Sequence, residues 1–220
     1  MCGLGGGRRD GAGRRKRMGC VAHRSRDKVT RHDPRLVTMK CAKELPSLRS
    51  PRGEQVIAGA IRSAQRDAFR IVEYSIQSNH LHFVLEADDA RALANGMRSL
   101  TCRVARGLNR LWSRRGAVFP RRFHDRVLRS LRQVRNALRY VLNNYLKHEH
   151  VPTTVRGAAV VDPYSSARWF DGWREGARAW GGGDGRRPAV VRGGWKLGVG
   201  WRRYALISVR EVPGAIAGRR

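Results

Sequence analysis

The pattern of apolar and polar positions predicts three helices and four strands in the middle of the chain. Apolar residues recur at helical spacing over residues 54–68, 88–112 and 130–148. Residues 36–40, 69–76, 80–85 and 118–128 are rich in β-branched, aromatic or aliphatic side chains, which favour extended structure. Residues 77–79 separate the second and third of these, a spacing typical of a β-hairpin. The order of elements predicts an α+β fold, a ferredoxin-like antiparallel sheet with helices packed on one face.

Composition divides the chain into three parts. Residues 1–30 are rich in Gly and Arg, which predicts a disordered basic arm. Residues 31–150 contain the predicted helices and strands and are interpreted as the catalytic domain. Residues 151–220 form a basic C-terminal tail with several aromatic residues, which we expect to be partly ordered. A chain of 220 residues can bury the core of one ordinary domain, and two full domains are not expected.

The charge of the chain narrows the choice of partner. Lys and Arg number 46 against 17 Asp and Glu, which gives a formal net charge of +29 at pH 7. These positive charges repel one another unless a polyanion screens them, and the usual polyanions are nucleic acid and anionic membranes. No apolar stretch approaches the ~18 residues of a membrane span, so we expect nucleic acid and no membrane. No signal peptide is recognisable, which predicts a cytoplasmic, nucleoid-associated protein.

The four cysteines do not indicate a zinc module or a disulfide framework. They are scattered, without a C-x-x-C pair, and are interpreted as reduced thiols. They are Cys2, Cys20, Cys41 and Cys102.

A His-x-His pair lies on the predicted third strand. Side chains alternate between the faces of a strand, so Leu81 and Phe83 point towards the helices while His80 and His82 point to the other face. Their Cα atoms are then ~7 Å apart, close enough for both imidazoles to bind one metal ion. The alternative is a pair of exposed polar residues on the wet face of a half-buried strand.

Tyr140 lies off the apolar stripe of the last predicted helix. Ser130 and Gln133 form a capping box, which defines the phase of that helix. Tyr140 falls nearly opposite the stripe, and Asn144 follows it by one turn. One interpretation is a tyrosine packed against another element. The other is a phenol offered to a substrate, with Asn144 as an oxygen ligand to the same metal. The stripe contains Leu131, Val134, Leu138, Val141, Leu142 and Tyr145.

These residue types suit phosphoryl transfer. Two imidazoles, an amide oxygen and waters can hold Mg²⁺ or Mn²⁺ with open positions. Tyrosine can form a covalent ester with phosphate, and the metal and nearby arginines would neutralise charge on the phosphoryl oxygens. Residues 98–139 contain thirteen Arg, no Lys and a single acid, which predicts a phosphate-binding surface. The predicted nucleic-acid contacts are Arg121, Arg122, His124, Arg126, Arg135 and Arg139.

Three ordered blocks carry a resemblance to a known family. Residues 74–82 (YSIQSNHLH), 123–128 (FHDRVL) and 137–144 (ALRYVLNN) resemble the HUH single-tyrosine transposases, and in particular the REP-associated tyrosine transposases of bacteria. The similarity spans about residues 31–150 and extends weakly into residues 162–173.

The resemblance implies a ferredoxin-like domain that cleaves single-stranded DNA. On this basis His80 and His82 would bind a divalent cation, and Tyr140 would attack to give a 5′-phosphotyrosine and a free 3′-hydroxyl. Asn144 matches the family's less uniform polar position one turn after the tyrosine. Many relatives have proline directly after that residue, whereas this chain has Tyr145, which predicts a longer helix.

Two functional hypotheses follow from these observations. The first is a metal-dependent nickase or strand-transferase that acts on single-stranded, hairpin-forming repeat DNA. The second is a non-catalytic nucleic-acid binder, either a domesticated relative or an RNA-binding module, that binds strands by charge and stacking. His124 could bind DNA or metal or be structural. Monomer and homodimer are both compatible with the sequence.

Overall fold

The computed structural model describes residues 27–147, 161–176 and 189–214, together with the backbone of residues 154–155 and 158–159. The predicted N-terminal arm therefore lies almost wholly outside the described residues. Two helices and three strands precede the fourth strand and the third helix. They are β1 (Arg35–Lys40), α1 (Pro51–Ala64), β2 (Phe69–Ile76), β3 (His80–Ala87), α2 (Ala90–Leu111), β4 (His124–Val127) and α3 (Leu131–Asn143).

Shorter elements follow α3. A 3-10 turn continues directly from that helix, and a two-stranded hairpin and three further short helical segments come after it. They are the turn Asn144–Lys147, the strands β5 (Thr154–Val155) and β6 (Ala158–Ala159), the turn Ser166–Trp169, α4 (Trp195–Gly198) and the turn Gly200–Tyr204.

The main sheet has four antiparallel strands in the order β2-β3-β1-β4. This order, with α1 and α2 as the two crossover helices, is the β-α-β-β-α-β arrangement of a ferredoxin-like fold. The predicted fold class is therefore confirmed.

The placement of the helices differs from the prediction in one respect. Helices α1 and α2 pack on one face of the sheet, in a core that includes Val37 and Phe83. Helix α3 packs on the opposite face, against Leu36 and Val84, so the expectation of all helices on one face is wrong for α3. The reason is that the central strands carry apolar residues on both faces, and β3 is buried along almost its whole length.

Helix boundaries follow the capping residues. Helix α1 begins at Pro51, earlier than predicted, because the Ser50 side chain accepts a hydrogen bond from the Gly53 N–H and proline is favoured in a first turn. The predicted capping box of Ser130 and Gln133 is present at the start of α3. Helix α3 ends at Asn143 and tightens into a 3-10 turn instead of continuing as an α-helix to residue 148.

Most of the buried apolar residues beyond position 160 pack on the same face as α3, whereas Ala189 belongs to the core on the face of α1 and α2. Phe170, Trp173 and Trp201 belong to the same hydrophobic cluster as the helix, and Trp201 is fully buried. Arg49, ahead of α1, donates two hydrogen bonds to the Asp162 carboxylate. This segment therefore completes the second face of the sheet. Across the part of the chain that is described, no helix is long and apolar enough to cross a bilayer.

A buried carboxyl group joins β2 to this C-terminal segment. Glu73 lies where the β2–β3 register shifts, and it shares a hydrogen bond with the Ser166 hydroxyl. Burial raises the pKa of Glu73 to about 8, the Ser166 hydrogen bond opposes this rise, and the negative charge of Asp171 adds to it. Glu73 is therefore protonated at neutral pH in the folded chain.

We expect Glu73→Gln to stabilise the protein increasingly as the pH rises from 5 to 8. The unfolded carboxyl ionises near its ordinary pKa, so the folded state binds more protons over this range and the wild type loses stability that the amide variant keeps. The difference in unfolding free energy should reach on the order of 2–4 kcal/mol. Urea denaturation of both proteins at several pH values measures it.

The matched control is Glu86→Gln. The Glu86 carboxylate is also buried, but it accepts hydrogen bonds from Arg70 and from the Gly194 N–H, so its loss should destabilise the protein at pH 8. Parallel pH profiles for wild type and Glu73→Gln would show that Glu73 is ionised in the folded state.

Candidate active site

A row of polar side chains crosses the sheet on the face that α3 covers. The strand register aligns Ser75 of β2, His82 of β3, Thr38 of β1 and His124 of β4. Directly paired residues point to the same face, so these four side chains are neighbours in turn. The row interrupts the otherwise apolar surface between the sheet and α3.

His82 is the buried member of the histidine pair. Only 2% of its surface is exposed, and its Nδ1 lies 3.0 Å from the Thr38 hydroxyl oxygen. When Nδ1–H donates to that oxygen, the lone pair of the ring is on Nε2. Nε2 is the atom that faces Tyr140, with 3.5 Å between it and the Tyr140 Oη.

His80 is half-buried, and its imidazole has the same tautomer as that of His82. Its Nδ1 lies 2.7 Å from the Asn79 Oδ1, an acceptor, so Nδ1 carries the proton and the lone pair is again on Nε2. The centroids of the two imidazole rings are 4.7 Å apart. Histidines that bind a metal through Nε2 usually donate their Nδ1–H to a neighbouring oxygen, which fixes the orientation of the ring.

Tyr140 contacts His82 from α3. Its ring centroid is 5.0 Å from that of His82, with the ring planes at 74°. The side chain is half-buried, and this burial raises the pKa of the phenol above its ordinary value. The Lys147 ammonium lies 5.3 Å from the centre of the Tyr140 ring, within the range of a cation–π contact.

The buried surface of α3 is wider than its predicted apolar stripe. The helix lies between the sheet and the C-terminal segment, so Ala137, Asn143 and Asn144 are buried in addition to all of the predicted stripe except Leu131, which is half-buried. Tyr140 follows Ala137 and precedes Asn144 along one side of the helix, at helical spacing. Packing of this side towards the sheet brings a tyrosine from outside the predicted stripe against His82.

The two asparagines that end α3 have different roles. Asn143 donates its Nδ2 protons to the carbonyl oxygens of Ser208 and Glu211, which holds the C-terminal segment on the helix. The side chain of Asn144 is 2% exposed and makes no hydrogen bond to any residue that the structure describes.

His80, His82 and Asn144 are the side chains near Tyr140 that could hold a divalent cation. No three Asp, Glu, His or Cys side chains cluster into a metal site anywhere in the described ranges. The available set is two imidazole nitrogens and one amide oxygen, which is compatible with Mn²⁺ or Mg²⁺ and leaves positions for substrate oxygens.

Sequence reasoning missed the polar neighbours of the pair. Gln77 is buried and donates its Nε2–H to the Ser75 hydroxyl, and its backbone N–H donates to the His80 carbonyl. Ser75 and Gln77 lie on the histidine face because the hairpin register aligns Ser75 with His82. The two-residue turn at residues 78–79 was the signal that could have identified them.

The six predicted nucleic-acid contacts divide into two environments. Arg121, Arg122 and His124 are exposed at and before β4, and Arg126 is half-buried. Arg135 and Arg139 lie on α3, and both donate to the Glu211 carboxylate at 2.9 Å. The α3 pair thus shares a single carboxylate, which neutralises one of its two positive charges.

The sheet order and the packing of helices on both faces define an α+β domain with a ferredoxin-like core. A solved structure of a REP-associated tyrosine transposase bound to a REP hairpin has this fold, with a TM-score of 0.56. It is 17% identical to this chain, and the match covers 78% of this chain and 98% of that one.

The similarity establishes a shared fold, as the sequence predicted. It covers more of the chain than residues 31–150, so it includes part of the C-terminal region. No protein-family model and no curated protein matches this chain.

We expect Thr38→Val to weaken the binding of Mn²⁺ by roughly 10- to 100-fold, because the isosteric valine removes the partner that orients the His82 ring. Electron paramagnetic resonance titration of free Mn²⁺ measures the affinity. Thr101→Val is the matched control, since the Thr101 hydroxyl bonds only the Met97 carbonyl of its own helix. Equal Mn²⁺ affinity in the two variants would show that Thr38 does not support a metal site.

Proposed function

We propose that this chain is a transposase-type DNA endonuclease and strand-transferase that cleaves single-stranded, hairpin-forming repeat DNA. Tyr140 is the nucleophile, and His80, His82 and Asn144 hold Mg²⁺ or Mn²⁺. The observation that carries the proposal is the 3.5 Å approach of the Tyr140 Oη to the His82 Nε2.

Packing alone gives no reason for this arrangement. Buried polar groups reduce stability unless they are satisfied, and an apolar row between α3 and the sheet would pack as well. Here the row is polar, both imidazoles have partners on Nδ1, and the only tyrosine of α3 contacts the pair. Such convergence of polar groups is typical of a catalytic site.

The chemistry of the step follows from the residues. The Tyr140 oxygen forms a bond to phosphorus and loses its proton, the bond from phosphorus to the 3′ oxygen breaks, and that oxygen becomes a 3′-hydroxyl. Because burial raises the pKa of Tyr140, the phenol is protonated at neutral pH before it reacts. A bound divalent cation would neutralise charge on the non-bridging oxygens.

The cleavage step can run in reverse with the end of a different DNA strand. A 3′-hydroxyl that attacks the 5′-phosphotyrosine restores a phosphodiester and releases Tyr140, so the same site serves cleavage and strand transfer.

The charge of the chain supports a nucleic-acid substrate. Arg121 and Arg122 are exposed beside the edge strand and have no ion-pair partner among the described residues. The structural neighbour was solved with a REP hairpin, which supports a DNA hairpin in preference to RNA. A non-catalytic binder would use the same basic surface, so Tyr140 is the residue that distinguishes the two hypotheses.

We expect Tyr140→Phe to abolish covalent attachment of DNA while leaving DNA affinity within about twofold of the wild type, because only the attacking oxygen is removed. The assay incubates the full chain with Mn²⁺ and a labelled hairpin that has a single-stranded flank, and separates protein–DNA adducts by denaturing electrophoresis. Tyr204→Phe, at an exposed tyrosine of the C-terminal segment, is the matched control and should form the adduct normally.

The position of the label tests the polarity of the reaction. A 5′-phosphotyrosine retains the 3′ portion of the strand, so a 3′-end label should travel with the protein and a 5′-end label should be released. A wild-type protein that binds hairpins in Mn²⁺ and forms no adduct would favour the non-catalytic hypothesis. Labelled protein from the 5′-labelled strand would contradict the proposed linkage.

A further inference from the structure

A groove of about 290 Å³ lies on the opposite side of the sheet from the histidine pair. It is bounded by α2 and by the segment that leads into β4, and α1 lies beyond α2 on the same face. Its floor is apolar and its rim is basic. The floor contains Met39, Met97, Phe119 and Phe123, and the rim contains Arg98, Arg121 and Arg122.

The charge of the groove is of one sign. None of the described residues that line it is acidic, and its three arginines are exposed. They also have no ion-pair partner in the described part of the chain, unlike Arg135 and Arg139, which are bound to Glu211. Ordinary protein surfaces mix charges of both signs, so this rim is complementary to a polyanion.

The floor indicates that more than phosphate is recognised. Phosphate oxygens need only the arginines, whereas Phe119 and Phe123 are half-buried and offer aromatic surface beside them. Proteins bind single strands by stacking bases on such rings while basic side chains follow the backbone. The volume is at the lower end for ligand pockets, which suits one unpaired base and excludes a duplex.

The chain connects the groove directly to the candidate active site. His124 follows Phe123 and begins β4, the edge strand of the sheet. The register aligns His124 with Thr38 and Thr38 with His82, so His124 is two strand spacings, about 10 Å, from His82. A strand that leaves the groove and turns round the short edge of β4 reaches the histidine–tyrosine site within a few nucleotides.

We propose that this groove holds one unpaired base of the DNA strand, a few nucleotides from the phosphodiester that Tyr140 cleaves. The base lies on Phe119 and Phe123, and its flanking phosphates contact the three arginines. The inference rests on the proposed function for the identity of the strand, but it concerns binding and does not require cleavage.

Cys102 provides a reporter inside the groove. Its thiol is exposed and is one of the lining residues, whereas Cys41 is buried. With Cys2 and Cys20 replaced by serine, maleimide labelling of the full-length chain reports access to the groove. We expect a saturating hairpin with a single-stranded flank, added without metal so that no cleavage occurs, to slow the labelling of Cys102 at least fivefold.

The matched control moves the reporter to α1. Ser63→Cys in a Cys102→Ser background places an exposed thiol on the helix farther from β4, and its labelling rate should not change with DNA. DNA that binds, as measured by fluorescence anisotropy, without protecting Cys102 would overturn the groove proposal and leave the cleavage proposal intact. Protection of Cys102 without any covalent adduct in Mn²⁺ would support the groove proposal and overturn the cleavage proposal. Absence of DNA binding would overturn both.

Abasic substitution tests whether a base enters the groove. One position of the single-stranded flank should weaken wild-type binding by about 5-fold or more when its base is removed, as expected for a lost stacking contact. Phe119→Leu keeps an apolar side chain but removes the ring, so the same abasic site should have little further effect in that variant. If no position behaves in this way, the groove binds backbone only and the proposal fails.

Discussion

The register of β3 between β1 and β2 is the constraint on which the rest of the site depends. A slip of one residue would turn His80 and His82 to the face of α1 and α2 and bring Leu81 and Phe83 to the face of α3. Such a slip would bury two imidazoles among apolar side chains, so the apolar core and the polar row specify the same register. The geometry of the histidine pair is therefore a consequence of the packing of the opposite face.

The position of Tyr140 depends on a second set of contacts, made by the C-terminal segment. Asn143 donates to two carbonyl groups of that segment, and Glu211 accepts hydrogen bonds from Arg135 and Arg139. These contacts lie on the side of α3 away from the sheet. Because α3 is held from both sides, the Tyr140 ring is presented to His82 by a helix with little freedom to rotate.

Local patterns in the sequence predicted much of this arrangement, and long-range contacts account for the rest. Alternation along β3 predicted that His80 and His82 share a face, and the capping box predicted the phase of α3. The position of α3 on the opposite face was not predicted, because a strand with apolar residues on both faces does not indicate which helix covers which face. The pairs Thr38–His82 and Arg139–Glu211 join residues far apart in the chain, and no local spacing encodes them.

The arginines of this chain serve two purposes that the fold keeps apart. Arg35, Arg49, Arg135 and Arg139 are bound to Asp125, Asp162 and Glu211, and these pairs join β1 to β4 and the C-terminal segment to the domain. Breaking such partly buried pairs would leave uncompensated charge, so these arginines stabilise the fold. Arg121 and Arg122, just ahead of β4, are exposed and have no ion-pair partner among the described residues. An anion bound at that edge would relieve their mutual repulsion, so a polyanionic ligand should also stabilise the folded state.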